Sequence, residues 1–127
     1  MLDGLFSSNN YQGLKKMLDA TTMRQEAIAS NLANLETPNY KRIDVESSFS
    51  AELSRAVAAR DLKDISRVEP RIVIDTNAPA ANRDGNTVQL DSELIRLQQN
   101  TMAHQMQTQF VSSSFAKLRS AIAGRIS

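Results

Sequence analysis

A helix ends within the stretch SNLANLETPNYKR, which runs from Ser30 to Arg42. Its first half carries good helix formers, but Pro38 lacks a backbone N–H donor and forces Thr37 out of the helical region. Asn39 follows directly, and asparagine tolerates a positive φ better than most residues do. The stretch therefore predicts a helix that stops at a specific turn, after which the chain leaves in a new direction.

The residues upstream of this turn form a heptad seam, in which spacings of three and four alternate. The seam consists of Tyr11, Leu14, Leu18, Thr21, Gln25, Ile28, Leu32 and Leu35. It is apolar at both ends and polar in the middle. This pattern predicts a helix over residues 11–36, with one long face available for another helix.

A second heptad seam lies near the other end of the chain and has the same polar middle. It consists of Leu90, Leu94, Leu97, Thr101, His104, Thr108, Val111, Phe115, Leu118 and Ile122. The two matching seams predict a mainly α fold, in which helices 11–36 and 90–127 pair as an antiparallel coiled-coil hairpin. The polar centres, Thr21 and Gln25 on one side and residues 101–108 on the other, should then lie near each other.

Residues 37–89 lack a heptad and are predicted as an irregular middle segment. The apolar spacing predicts one short amphipathic helix over residues 47–60, and RIVID at 71–75 predicts a strand in a small β-structure. The residues from 77 to 86 are typical of a loop, which ends in a turn at Asp84-Gly85-Asn86.

The stretch from Leu97 to Ala116 contains twenty residues and no Asp, Glu, Lys or Arg. A surface helix of a monomer normally carries charges on its solvent face. Neutral amides and methionine can be buried on several sides without the desolvation cost of a charge. We infer that this helix is surrounded by copies or partners in an assembly; the alternative is a Gln-rich, solvated helix of a monomer.

The chemistry-bearing residues are too few for a catalytic or metal site. The chain has a net charge of +1, no cysteine and a single histidine, His104, which lies at a seam position without a neighbouring acid. No phosphate-binding glycine motif occurs, and the Asp84-Gly85-Asn86 turn lacks the remaining ligands of a calcium loop. We therefore expect no enzyme activity, cofactor, metal, nucleic-acid partner or small-molecule substrate.

Two motifs resemble the bacterial flagellar axial family, which comprises the rod, hook and related subunits. The first consists of Ser30, Asn31, Leu32, Ala33, Asn34, Thr37, Pro38, Asn39, Tyr40 and Lys41, with Asn39 where the family usually has Gly. The second precedes the C-terminal helix and includes Asp84, Gly85, Asn86, Val88 and Leu90. The short length and the second motif resemble the proximal-rod members of the family.

The resemblance implies a structural subunit that polymerises through its terminal helices, lines the export channel and transmits torque. Its implied partners are copies of itself, other rod proteins, a FliE-type adaptor, the membrane ring and the export gate. It implies a place in the rod within the periplasm, reached without a cleaved signal peptide, and residues 1–10 are expected to be a disordered start and candidate export signal. The alternative function is a soluble helical adaptor or chaperone of a secretion system.

Overall fold

Two long helices flank a middle segment that contains two short helices and a pair of strands. The computed structural model describes residues 8–80 and 82–126, with side chains over 9–80 and 82–124. The elements are α1 (Ser8–Ala33), β1 (Ile43–Val45), α2 (Phe49–Ala58), α3 (Leu62–Arg67), β2 (Ile72–Ile74) and α4 (Leu90–Ile126).

The helices α1 and α4 pack together in opposite directions, which confirms the predicted hairpin. Near the start of α1, the ring of Tyr11 meets that of Phe115 edge-on, with 6.5 Å between the ring centroids. Near its end, Asn31 Nδ2 lies 3.3 Å from Glu93 Oε2 at the start of α4. The alternating spacing of three and four residues in the two heptad seams was therefore sufficient to predict the pairing of the helices.

The boundaries of the first helix differ from the predicted ones. It begins at Ser8, so residues 8–10 belong to the helix rather than to a disordered start, and it ends at Ala33. Residues 1–7, which include Leu2, Leu5 and Phe6 of the candidate export signal, lie outside the described residues.

The middle segment contains the predicted helix and strand together with two elements that the sequence did not predict. The helix expected over 47–60 is α2, and the strand expected over 71–75 is β2. The strands β1 and β2 pair antiparallel, with Ile43 opposite Ile74 and Val45 opposite Ile72. Prediction missed β1 and α3 because three and six residues are too few to establish a periodicity.

The main hydrophobic cluster lies between α1 and the middle segment. It consists of Ala20, Val45, Phe49, Leu53, Ala56 and Ile65. The middle segment therefore covers one side of α1, whereas α4 packs along α1 through a separate contact. This arrangement leaves much of the surface of α4 exposed.

The link between α2 and α3 contains a residue with an unfavourable backbone conformation. Arg60 has a φ of 55°, and its N–H donates to the Val57 carbonyl at 3.1 Å as the chain leaves α2. The next residue, Asp61, caps α3 by accepting from the Lys63 backbone N–H at 2.9 Å. A left-handed residue followed directly by an N-cap accounts for the sharp turn between the two helices.

Replacing Arg60 with glycine should stabilise the protein. A left-handed conformation costs a residue with a β-carbon about 1–2 kcal/mol, and the added backbone freedom of glycine offsets about 0.5–1 kcal/mol of that gain. We expect Arg60→Gly to raise the free energy of unfolding, measured by urea denaturation, by about 0.5 kcal/mol. Arg60→Ala keeps the β-carbon and serves as the control; equal stability of the two variants would contradict this explanation.

Candidate functional site

Side-chain hydrogen bonds hold the turn that follows α1. Asn34 donates through Nδ2 to the Ser30 carbonyl at 2.8 Å and accepts through Oδ1 from Thr37 Oγ1 at 3.1 Å. Pro38 then prevents a further helical turn. Asn39 has a φ of 61°, which confirms the predicted left-handed conformation. The first motif is therefore a helix stop with its own internal bonds.

A buried amide from the second motif caps this helix end. Asn86 Nδ2 donates to the carbonyls of Asn34 and Thr37 at 2.9 and 2.8 Å, and it also lies 3.1 Å from the Leu35 carbonyl. These carbonyls lie in the turn just after Ala33, where Pro38 prevents the next helical turn, so Asn86 supplies the donors that this turn would have provided. The Oδ1 atom of Asn86 accepts from the Val88 N–H at 2.7 Å, which fixes the orientation of the amide.

The two motif turns also contact each other directly. The Asn39 N–H donates to the Asp84 carbonyl at 2.9 Å, and Lys41 Nζ donates to the Gly85 carbonyl at 2.6 Å. Gly85 has a φ of 82°, and a β-carbon there would lie 2.5 Å from Asn39 Oδ1. The positive φ favours glycine at this position, and a β-carbon would also force the Asn39 side chain to move.

Behind this contact, Arg42 lies at the centre of a buried group of charges. Its Nε donates to Glu93 at 2.6 Å, one terminal nitrogen donates to Asp75 at 2.6 Å, and the other donates to Asp44 at 3.2 Å. The side chain of Arg42 is 3% exposed and that of Glu93 is 1% exposed. Burial lowers the pKa of Arg42, but the hydrogen bonds to Glu93 and Asp75 outweigh it and raise the pKa above its ordinary value.

Asp44 carries this charge group outward to a second arginine. Its Oδ1 accepts from Arg24 Nε at 2.9 Å and from the backbone N–H of Val45 at 2.7 Å. Burial raises the pKa of Asp44, whereas these bonds and the one from Arg42 lower it; the net effect is a pKa below the ordinary value. Asp44 is therefore held as a carboxylate that links β1 to Arg24 of α1.

Asn31 connects the helix stop, the strand pair and α4. It is fully buried, and its side chain donates to the Ile43 carbonyl and accepts from the Ile43 N–H, both at 2.9 Å. Tyr40 donates to Asn31 Oδ1 at 3.2 Å, and its hydroxyl lies 3.1 Å from Ser30 Oγ. Tyr40 therefore anchors the turn within its own chain.

The polar centres of the two seams meet as predicted. Thr21 Oγ1 lies 3.3 Å from His104 Nδ1 and donates to Gln107 Oε1 at 3.1 Å. Asn100 Nδ2 donates to the Thr21 carbonyl at 2.8 Å and to Gln25 Oε1 at 2.9 Å. The buried Oδ1 atom of Asn100 has no donor within the described part of the chain. A buried amide of this kind can specify the register of a helix pair at some cost in stability.

The predicted site residues differ widely in their burial. Of the predicted seam, Ile28 is buried; Leu14, Leu18, Leu32, Leu35, Leu97 and Val111 are half-buried; Leu90, Leu94, Phe115, Leu118 and Ile122 are exposed. Of the first motif, Asn31 is buried, Ser30, Leu32, Asn34 and Tyr40 are half-buried, and Ala33, Thr37, Pro38, Asn39 and Lys41 are exposed. Of the second motif, Asn86 and Val88 are buried, Gly85 is half-buried, and Asp84 and Leu90 are exposed.

The sequence pattern did not reveal the charge group or the buried amide of Asn100. Arg42 closes the quoted stretch, and Glu93 lies in the first turn of α4. Their separation of 51 positions leaves no local signal that they meet. Within the described residues, no group of three or more His, Asp or Glu side chains is placed to hold a metal. None of the described helices is long and apolar enough to cross a membrane.

Several known proteins are similar in sequence to this chain over most of its length. A family model for "Flagella basal body rod protein" matches residues 18–41, which cover the second half of α1 and the helix stop. The flagellar basal body rod protein FlgB of Borreliella burgdorferi is 33% identical, over 73% of this chain and 80% of the relative. The chain belongs to the FlgB family. The FlgB proteins of Aquifex aeolicus and Bacillus subtilis are 30% and 27% identical, over 87% and 92% of this chain and 90% and 95% of their own lengths.

Membership of the FlgB family makes this a structural protein of the flagellar basal body rod, not an enzyme. The geometry agrees with that role, because polar side chains of the two motifs bond to one another and to the backbone. A junction in this FlgB-family chain joins the end of α1 to the start of α4. It consists of the helix stop, the second motif and the Arg42 charge group. We call the contacts of Arg42, Asn31 and Asn86 the motif junction.

The amide of Asn86 should be essential to the motif junction. Asn86→Ala removes the donor from partly buried carbonyls and leaves the Val88 N–H without its acceptor, so it should lower the free energy of unfolding by about 2 kcal/mol. Chemical denaturation followed by circular dichroism would measure the loss. Asn82→Ala, at an exposed position of the same loop, is the matched control and should have no effect. Equal stability of the two variants would show that the Asn86 contacts are not needed.

Arg42 and Glu93 should depend on each other strongly. Arg42→Met leaves Glu93 buried without its partner and should cost about 3–5 kcal/mol of unfolding free energy. Glu93→Met should cost a similar amount, and the double variant should lose much less than the sum, which a double-mutant cycle would measure. Arg96→Met, which removes an exposed arginine 3.9 Å from Asp44, is the control and should cost little. Additive losses would contradict the coupling.

Proposed function

We propose that this chain is a structural subunit of the proximal rod of the bacterial flagellar basal body. In this role it polymerises through α1 and α4, lines the export channel and transmits torque. Two findings support the proposal. The chain belongs to the FlgB family, and its two long helices form an antiparallel hairpin that can pack side by side with other hairpins.

The observation that carries the proposal is the exposure of apolar side chains along α4. Met102, Met106 and Phe110 follow one another at a spacing of one helical turn and are 63%, 72% and 53% exposed. A monomer rarely exposes apolar side chains in a contiguous array, and an array of this kind marks an interaction surface. The absence of charge from 97 to 116 also means that neighbours can cover this part of α4 without desolvating a charge.

The proposed partners follow from a place in the rod. They are copies of this chain, other rod proteins, a FliE-type adaptor, and the membrane ring with its export gate. The proposed location is the periplasmic part of the basal body, reached through the flagellar export apparatus without cleavage of a signal peptide. No nucleic acid or small-molecule substrate belongs to the proposal, and the net charge of +1 fits that view.

Deletion of the gene should prevent assembly of the rod and of every structure that is built on it. Electron microscopy of cells and purified basal bodies should find the membrane ring without rod, hook or filament. The same gene supplied on a plasmid should restore them, which controls for effects on neighbouring genes.

Normal flagella in the deletion strain would remove the rod assignment. The helical hairpin would then be better explained by the soluble adaptor or chaperone role, in which one partner is held reversibly. A cytoplasmic pool of the protein that never reaches the basal body would favour that role.

A further inference from the structure

An apolar stripe runs along the face of α4 that points away from α1. The residues of α4 that hydrogen-bond to α1 include Glu93, Asn100 and Gln107. At 100° per residue, Ile95, Met102 and Met106 lie roughly 150° around the helix from that face. Their side chains are 55%, 63% and 72% exposed. We call these three residues the α4 stripe; the hairpin contact does not explain it.

A second apolar surface is concave and lies where α1, α2 and α4 meet. A cavity of about 490 Å³ opens there, lined by Gly13, Leu14, Met17, Leu53, Val57 and Phe110 together with small neutral residues. Gly13 allows α2 to approach closely, because a β-carbon at this position would lie 2.9 Å from Val57 Cγ2. We call this surface the α1–α2 groove; none of the residues that line it carries a charge.

We propose that the α4 stripe of one molecule docks into the α1–α2 groove of a second copy of this chain. This inference rests on the proposed function and specifies which surfaces of the hairpin form the subunit contact. Its first support is the match of shape and chemistry. The stripe is a convex row of exposed aliphatic side chains in which the neutral Gln99 lies between Ile95 and Met102. The groove is an apolar recess, and methionine adapts to irregular recesses.

The absence of charge from the middle of α4 makes it the helix of this chain that fits the uncharged groove. A helix that brings a charge into an uncharged groove loses the hydration of that charge without gaining a partner. Each of the helices α1, α2 and α3 carries Lys, Arg, Asp or Glu along its length, whereas α4 has none between Arg96 and Lys117. Within the described chain, α4 therefore supplies the neutral helix face that matches the groove.

The contact is heterologous because the stripe and the groove are different surfaces. When two copies join in this way, one groove and one stripe remain free at opposite ends of the pair. Heterologous contacts of this kind build open helical polymers unless the rotation between copies closes a ring. The proposed pairing thus gives the polymer that a rod requires, whereas stripe-to-stripe contact would give a closed dimer.

Single cysteines can test the pairing directly, because the chain contains no natural cysteine. Ser54 is exposed and lines the groove, so Ser54→Cys marks the groove, and Met106→Cys marks the stripe. The two full-length variants, one with a mass tag, are mixed and crosslinked with a short thiol reagent. We expect mixed dimers from this pair, and few from Ser54→Cys mixed with Thr101→Cys, which marks a different exposed face of α4.

A charge on the stripe should reduce this crosslink. Met102→Asp, placed in the Met106→Cys chain, should lower the yield of mixed dimers at least about tenfold, because the carboxylate enters an apolar contact without a partner. Met102 is exposed, so thermal unfolding of the variant should match that of the parent. Thr108→Asp, at an exposed position outside the stripe, is the matched control and should leave the yield unchanged.

The results separate failure of this inference from failure of the proposed function. Abundant Met106→Cys homodimers without mixed dimers would overturn the pairing in favour of a stripe-to-stripe contact, and no crosslinks at any concentration would also overturn it. If the gene deletion abolishes the rod in either case, the proposed function stands without this contact. Mixed dimers from a chain whose deletion leaves flagella normal would support the pairing and remove the rod role.

Discussion

Arg42 is the charge on which the arrangement of this chain depends. A guanidinium that is almost fully buried must be surrounded by carboxylates, because an unpaired charge in that position would cost far more than the fold can supply. Its three carboxylates come from separate elements: Glu93 from α4, Asp75 from the end of β2, and Asp44 from β1. One side chain thereby fixes the strand pair against the C-terminal helix. The planar fork of arginine suits this role, since it directs several donors at fixed angles.

Around this charge, three buried asparagines hydrogen-bond to backbone groups. A charged side chain in the same positions would need a buried counter-charge. Asn31 both donates to and accepts from the backbone of Ile43, so it substitutes for a neighbouring strand. Asn86 substitutes for the missing helical turn after α1, and Asn100 links the two helices of the hairpin. An amide has donors and an acceptor on one planar group, so it can satisfy backbone N–H and C=O groups together. The motif residues Asn31 and Asn86 are thus explained by the backbone groups that they bond, without a role in catalysis or ligand binding.

Heptad spacing and turn chemistry predicted the hairpin, the helix stop and the left-handed Asn39, because each depends on residues close together in sequence. The motif junction could not be predicted in this way. Asn86 reaches carbonyls about fifty positions away, and no local pattern indicates which polar side chain will cap which helix. The seam residues Leu118 and Ile122 were expected to pack in the hairpin and are exposed. Since Tyr11 already meets Phe115, these residues lie opposite or beyond the described start of α1.

The hairpin itself is built in a way that leaves burial incomplete. Its middle is polar, and the buried side-chain oxygen of Asn100, Oδ1, has no donor in the described chain. This part of the hairpin therefore adds specificity more than stability. The main hydrophobic cluster lies on the other side of α1, and α4 is joined most firmly at its first turns, where Glu93 meets Arg42. Past that point, α4 contacts α1 through polar side chains and the Phe115 ring, while its opposite face stays exposed. Met102, Met106 and Phe110 stay exposed in the single chain, which is the condition expected of a subunit whose structure is completed by assembly.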